Sequence, residues 1–301
     1  MGRGTILLDG GMGRELQRMG APFRQPEWSA LALIEAPDYV RRAHDAFLEA
    51  GADIITSNSY ALVPFHIGEE RFAAQGGALA SLAGRLARQA ADTKPGARVA
   101  GSLPPLFGSY RADLFDAARA ADLLAPLVGG LAPHVDLWLA ETQSAVAEVR
   151  AVRAALADAL GKDAQPLWLS FTLEDEATDA ATHPRLRGGE TVAQGTEAAL
   201  ALGAAALLFN CSQPEVMGPA LAAAQAAAAG AALPLGVYAN AFPPQPKDAT
   251  ANDGLDELRG DLTPASYLDW ARRWVDAGAA IVGGCCGIGP DHIRALAAAL
   301  P

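Results

Sequence analysis

The chain has 301 residues, 51% of them apolar and 19% charged, with a formal net charge of −11. The apolar share supports a large core and excludes general disorder, while the acidic balance argues against nucleic acid or an anionic membrane surface as a partner. Three cysteines, two of them adjacent, make a poor disulfide framework and fit a reducing compartment, so the cytoplasm is the expected location.

The N-terminus shows no basic segment followed by an apolar core and a cleavage site, so it does not read as a signal peptide. Met1-Gly2 is followed by Ile6 where a myristoylation signal needs Ser or Thr. No apolar run reaches the roughly 18 residues that would span a bilayer. The Ala-rich stretch Ala220–Ala232 comes nearest, and Gln225 interrupts it.

In chain order, short aliphatic runs alternate with longer helical patterns. The first strand is predicted at Thr5–Leu8, closing on Asp9-Gly10-Gly11, with a loop containing Pro22, Pro26 and Trp28 after it. A helix from Pro37 to about Glu49 ends at Gly51, as a C-terminal glycine should end it. The second unit is Asp53–Ser57, then a helix over Glu69–Ala91. The third is Arg98–Gly101, then a helix near Leu114–Leu131. The fourth is Asp136–Ala140, closing on Glu141-Thr142, then Val146–Leu160. The fifth is Pro166–Leu173, followed by an acidic, Thr-rich loop and the helix Thr191–Leu202. The sixth is Ala205–Phe209, closing on Asn210-Cys211, then Glu215–Ala229. The seventh is Leu235–Ala239, with a long Pro- and Asp-rich loop, Pro243–Asp261, before the helix Pro264–Ala277. The eighth is Ala280–Gly283, ending on Gly284-Cys285-Cys286, then Pro290–Leu300.

Strands that are near-continuous apolar runs suit a parallel sheet covered on both faces. Eight strand-helix units in this length predict one closed (β/α)8 TIM barrel, a single domain over residues 1–301. Such barrels carry their active sites at the carboxyl ends of the strands. There the pattern places Asp9-Gly10-Gly11, Ser57-Asn58, Glu141, Asn210-Cys211, Asn240 and Cys285-Cys286.

Strands six and eight are next-but-one neighbours, which brings Cys211 within reach of Cys285 and Cys286. Three protein ligands with one open position is the catalytic arrangement for zinc. Three thiolates overcompensate the charge of Zn²⁺ and make it a weak acidifier of water. A substrate thiol joining such a site would still lose its proton and remain electron-rich, which suits alkyl transfer to sulfur better than hydrolysis. The alternatives are buried core cysteines, or a closed structural site completed by His292, which the helix after Pro290 is expected to hold on a solvated face. Asp9 is either a turn residue or a partner for a substrate amine, with the glycine amides receiving a carboxylate. Glu141 is either a rim charge or a buried acid of the site. Asn58, Asn210 and Asn240 are loop caps or ligand contacts, and Trp28, Tyr60, Phe65 and Tyr110 are packing residues or aromatics facing a cation.

The runs Leu7-Leu8-Asp9-Gly10-Gly11-Met12-Gly13 and Ala52–Tyr60, with Glu141-Thr142, Asn210-Cys211 and Gly283-Gly284-Cys285-Cys286-Gly287, resemble the homocysteine S-methyltransferase family. The likeness runs the whole length of the chain in the right order. It implies a zinc barrel, one ion per chain, that moves a methyl group to L-homocysteine and makes methionine. Cys211, Cys285 and Cys286 match the family's zinc ligands. Asp9, Gly10 and Gly11 match its homocysteine loop, Glu141 the acid that holds the amino group, and Ser57 and Asn58 a segment lining the pocket. The chain lacks the cobalamin and folate modules and the long C-terminal extension of related branches, which leaves a sulfonium donor, S-methylmethionine or S-adenosylmethionine. Competing readings are a betaine-type donor, a barrel lyase or hydrolase using Asp9 and Glu141, and a non-catalytic zinc- or redox-sensing barrel.

Overall fold

The computed structural model describes residues 4–176, 179–180, 182–252, 254–255 and 257–301. Met1-Gly2, parts of the acidic loop and two positions of the 243–261 loop lie outside the described residues.

Eight parallel strands form one sheet: β1 (Ile6–Leu7), β2 (Ile54–Thr56), β3 (Arg98–Leu103), β4 (Leu137–Gln143), β5 (Leu167–Phe171), β6 (Ala206–Asn210), β7 (Leu235–Tyr238) and β8 (Ile281–Val282). Their order is β1-β8-β7-β6-β5-β4-β3-β2, and a parallel bridge between Leu8 and Ile54 joins the two ends, closing the (β/α)8 barrel. That seam is short on strand, and two aspartates extend it. The Leu7 amide donates to Asp53 Oδ2 at 2.9 Å below the bridge, and the Thr56 amide donates to Asp9 Oδ2 at 2.7 Å above it.

The helices are α1 (Met12–Arg18), α2 (Ser29–Glu35), α3 (Pro37–Ala50), α4 (Pro64–Ile67), α5 (Glu69–Ala91), α6 (Ala117–Leu131), α7 (Val146–Leu160), α8 (Val192–Ala201), α9 (Pro214–Ala228), α10 (Pro264–Asp276) and α11 (Pro290–Ala299). Proline starts α3, α9, α10 and α11, where its missing N–H costs nothing. The structure adds α1, α2 and α4 to the expected elements. Among the described residues, no helix is long and apolar enough to cross a membrane.

Side chains alternate across each strand, so every second residue points into the barrel. Ile54, Ala100, Leu137, Leu139, Trp168, Ala206, Leu208, Tyr238 and Ile281 pack together there as one apolar cluster. Their neighbours on the other face, among them Ile55, Val99, Trp138, Leu207 and Phe209, belong to the larger core under the helices. Continuing the inward parity one step toward the carboxyl ends gives Thr56, Ser102, Glu141, Ser170 and Asn210. The apolar fill therefore gives way to a polar layer within one pleat.

One boundary differs from expectation in a way that matters. Glu141 and Thr142 lie within β4 rather than after it, because the strand carries an extra residue there. Ala140 pairs with Leu169 and Gln143 with Phe171, so three steps on β4 face two on β5. The left-handed backbone of Thr142, at φ 57°, marks the bulge, directly after the inward-pointing Glu141.

Candidate metal centre and substrate pocket

A cavity of about 190 Å³ opens at the carboxyl ends of the strands and is lined by Asp9, Gly10, Gly11, Ser57, Asn58, Glu141, Cys211, Cys285 and Cys286. These nine residues, singled out from the sequence, thus meet around one space, whereas Asn210 and Asn240, placed at the same strand ends, do not line it. Trp28, Tyr60 and Tyr110 also reach it, whereas Phe65 does not line it.

The three sulfurs lie within 4.8 Å of one another, and no other such ligand group occurs among the described residues. A tetrahedral zinc with Zn–S bonds of ~2.3 Å sets its sulfurs roughly 3.8 Å apart. The cluster therefore fits that ion with small side-chain adjustment. Hydrogen bonds within the cluster couple the three thiols, holding Cys286 below the ordinary cysteine range while Cys211 and Cys285 are raised above it. His292 is not part of it. Its Nε2 meets the Leu262 carbonyl at 3.0 Å, its Nδ1 accepts from the Gly289 amide, and its ring edges against Tyr267. The ring is half-buried in these contacts, not solvated as expected, because α11 packs that side against α10.

Close backbone approach explains the glycines. A Cβ on Gly11 would stand 2.6 Å from the Cys285 carbonyl oxygen, and one on Gly10 would collide with that of Ile288. The Gly11 amide already donates to Ile288 O at 2.9 Å. Gly11 thus serves first to dock the loop after β1 on the loop after β8, and its amide is not open to a substrate carboxylate.

The two acids are held firmly. Asp9 accepts from the Thr56 amide and, at 3.0 Å, from the Thr56 hydroxyl. Burial pushes its carboxyl up to about 8 despite those bonds. Glu141 accepts from the Ser102 hydroxyl through Oε1 and from the Tyr238 phenol at 3.5 Å through Oε2, and burial pushes it up to about 7. Two carboxyls kept out of water in this way gain strongly from a cation between them.

The asparagines serve as framework. Asn210 Oδ1 accepts from the Thr142 amide at 2.9 Å and from Ser170 Oγ at 2.7 Å, while its Nδ2 donates to Thr142 Oγ1 at 2.8 Å. One side chain thereby locks the β4 bulge at Thr142, next to Glu141, to the end of β6, next to Cys211. Asn58 donates to the Ser29 carbonyl at 3.0 Å, tying the pocket wall to α2. Ser57 Oγ meets Ser59 Oγ at 2.9 Å and accepts from the Ser102 amide at 3.0 Å. Asn240 Oδ1 accepts from the Phe242 amide at 3.3 Å, a turn within the loop after β7.

Sequence reasoning missed several lining groups. Arg14 and His66 reach the cavity, and the 243–261 loop contributes Gln245, Thr250, Ala251 and Gly254. That loop is pinned to the opposite wall, since Trp28 Nε1 donates to Asn252 Oδ1 at 2.8 Å and Gln25 Nε2 to the Gly254 carbonyl at 2.7 Å. No periodic pattern marks such loop contacts. Backbone strain collects here too: Trp28, Tyr110, Thr142 and Cys211 all line the pocket with left-handed φ values of 49°, 69°, 57° and 55°. Non-glycine residues persist in that region only where their surroundings hold them, as they do at functional sites.

Comparison with known proteins agrees with this geometry. A family model described as homocysteine S-methyltransferase matches residues 6–300. The homocysteine S-methyltransferase of Escherichia coli K12 is 31% identical over 97% of this chain and 94% of its own length. The selenocysteine Se-methyltransferase of Brassica oleracea is 27% identical over 97% of the chain and 88% of its own. Among solved structures, the metallated form of the E. coli homocysteine methyltransferase MmuM superimposes with a TM-score of 0.77 at 29% identity, covering 98% of this chain and 96% of that one. The chain belongs to the homocysteine S-methyltransferase family of enzymes.

Proposed function

We propose that this barrel, acting as one domain, transfers a methyl group from a sulfonium donor, S-methylmethionine or S-adenosylmethionine, to the sulfur of L-homocysteine, forming methionine. The observation that carries the reading is the convergence of three cysteine sulfurs and two buried carboxyls on one cavity. Cys211, Cys285 and Cys286 would hold one zinc ion, which supplies a lowered pKa to a thiol that joins it. The likeness to a methyltransferase solved in a metallated form supports that assignment.

The chain's own residues then orient and exclude. Glu141 and Asp9 face the substrate ammonium, whose charge draws both carboxyls down from their raised values and holds the substrate at a fixed angle. Gly10 and Gly11 line the pocket where the loop after β1 docks on the loop after β8, and Ser57 and Asn58 complete that wall. The loop pinned across Trp28 limits water, and the aromatic rings of Trp28, Tyr60 and Tyr110 offer faces to a cationic donor. Holding donor and sulfur in line supplies much of the rate, and no separate general base is required.

The test is methionine formation from homocysteine against sulfonium, betaine and methylfolate donors, alongside zinc content. Turnover with a sulfonium compound and about one zinc per chain is expected; turnover with betaine or methylfolate alone would overturn the donor assignment. Because a relative is a selenocysteine Se-methyltransferase, a selenol acceptor belongs in the panel.

A further inference from the structure

One contact to the sulfur cluster comes from outside the residues that form it. Tyr110 lies on the loop after β3, yet its phenol reaches across to the end of β6, 3.1 Å from Cys211 Sγ and 3.3 Å from the Cys211 carbonyl oxygen. Both partners hold left-handed backbone, at φ 69° and 55°, so the contact joins two residues whose surroundings fix them in place. The neighbouring Ser109 adds an anchor, its Oγ lying 2.6 Å from the Tyr60 hydroxyl.

A buried cation covers the other side of the ring. The Arg187 guanidinium lies 5.1 Å from the Tyr110 ring centroid. Arg187 is 6% exposed and is itself clamped: it donates to the Gln245 carbonyl at 3.0 Å and to that of Pro246, with Asp175 at 3.6 Å. Asp175 in turn accepts from the Gln213 and Gln245 amides. Residues after β5 and β7 thus meet on one guanidinium, the loop after β6 joining through Asp175, and the guanidinium lies over the ring of Tyr110. A cation over a phenol draws electron density from it and makes its O–H a stronger donor.

We propose that Tyr110, held by Arg187, is a positioning residue that donates a hydrogen bond to the Cys211 thiolate and lowers the charge this sulfur gives to a bound metal ion. This rests on the metal reading above. A metal-bound thiolate has no proton to give, so in the 3.1 Å contact between Tyr110 and Cys211 Sγ the phenol is the donor. Partners that hydrogen-bond to a metal's ligands tune the ion as well as orient them. With three thiolates already exceeding the charge of the ion, an O–H aimed at one of them restores some of its acidity toward a fourth sulfur.

The experiment replaces zinc with cobalt(II) and reads the near-ultraviolet thiolate-to-cobalt charge-transfer band, whose energy follows the charge on the sulfur. Tyr110→Phe, which keeps the ring, should move the band to longer wavelength. Site-specific replacement of Tyr110 by 3,5-difluorotyrosine, a stronger O–H donor when kept protonated at pH 6, should move it to shorter wavelength. Opposite shifts support the proposal, and a band unmoved in both overturns it. If Tyr110→Phe fails to fold, the difluorotyrosine protein decides alone. A wild-type protein that binds cobalt without any thiolate charge-transfer band would instead overturn the three-cysteine metal site, a result distinct from unmoved bands in the variants.

Discussion

Two layers of the barrel interior lie a single pleat apart and follow opposite rules. The lower one, with Ile54, Ala100, Leu137, Leu139, Trp168 and Leu208, is dry, apolar and close-packed. The upper one, with the half-buried Thr56 and the buried Ser102, Glu141, Ser170 and Asn210, is polar. Burial alone therefore does not set composition here. The lower layer exists to be filled, and filling it stabilises the barrel. The upper layer holds acids against desolvation, a bulge and left-handed residues, all of which cost stability and are retained for what they orient.

Substitutions in the two layers should separate these roles. Cys286→Ala carries the largest expected effect: zinc content falls from about one per chain to near none and methyl transfer drops by about 10³-fold or more, while the circular dichroism spectrum stays that of the barrel. Global unfolding would make the cluster a structural element and abolish the contrast between layers. Leu137→Ala, in the lower layer, should cost about 2–5 kcal/mol of stability in denaturant titrations and leave KM for homocysteine in the folded fraction unchanged. A raised KM would mean that the floor also shapes the pocket.

Glu141→Gln should do the reverse. KM for homocysteine should rise roughly 10–100-fold if Glu141 faces the ammonium as proposed, since that charge is lost. The sign on stability follows from its carboxyl being raised from 4.5 to about 7 in the folded chain. Folding then favours the protonated acid, so the benefit is full below pH 4.5 and is lost as pH rises through 7. The amide variant should accordingly melt higher than wild type at pH 8, by on the order of 2 kcal/mol or less, with the difference shrinking at pH 4.

His44 supplies a control for the claim that buried polarity signals function. It is fully buried on α3, neither ring nitrogen has a partner, and burial pushes it down to about 3. The neutral ring is what folding accepts, so stability is present above pH 6.5 and declines as pH falls toward 3. His44→Phe should flatten that acid-side loss, by about 1–2 kcal/mol at pH 5 in thermal melts, with activity unaltered. A change in kcat would show that polarity outside the mouth also serves catalysis.

The sequence made the strand-helix alternation and the mouth residues readable because both follow from local chemistry. Aliphatic runs stop where the polar layer begins, so each strand announces its own end. The bulge in β4 was not readable, since it depends on Asn210, 68 positions from Thr142. Helices α1 and α2 escaped notice for a different reason. Each has seven residues, too few for a helical period to show, and they lie among Gly11, Gly13, Pro22 and Pro26, which read as loop. Arg187 and Asp175 sit in an irregular loop, where only the folded arrangement reveals that they face each other and Tyr110.

The docking of the loop after β1 on the loop after β8 has a consequence for how the molecule is made. β1 is synthesised first and β8 last, yet β8 is the strand β1 pairs with, and Gly11 fits only against the Cys285 carbonyl. A nascent chain that has emerged through β7 holds one sulfur of three, and both β1 and β7 still lack the strand that should lie between them. It has neither the three-sulfur cluster nor a closed pocket. Closure of the barrel and assembly of the three-sulfur cluster therefore depend on the same strand, β8, taking its place between β1 and β7.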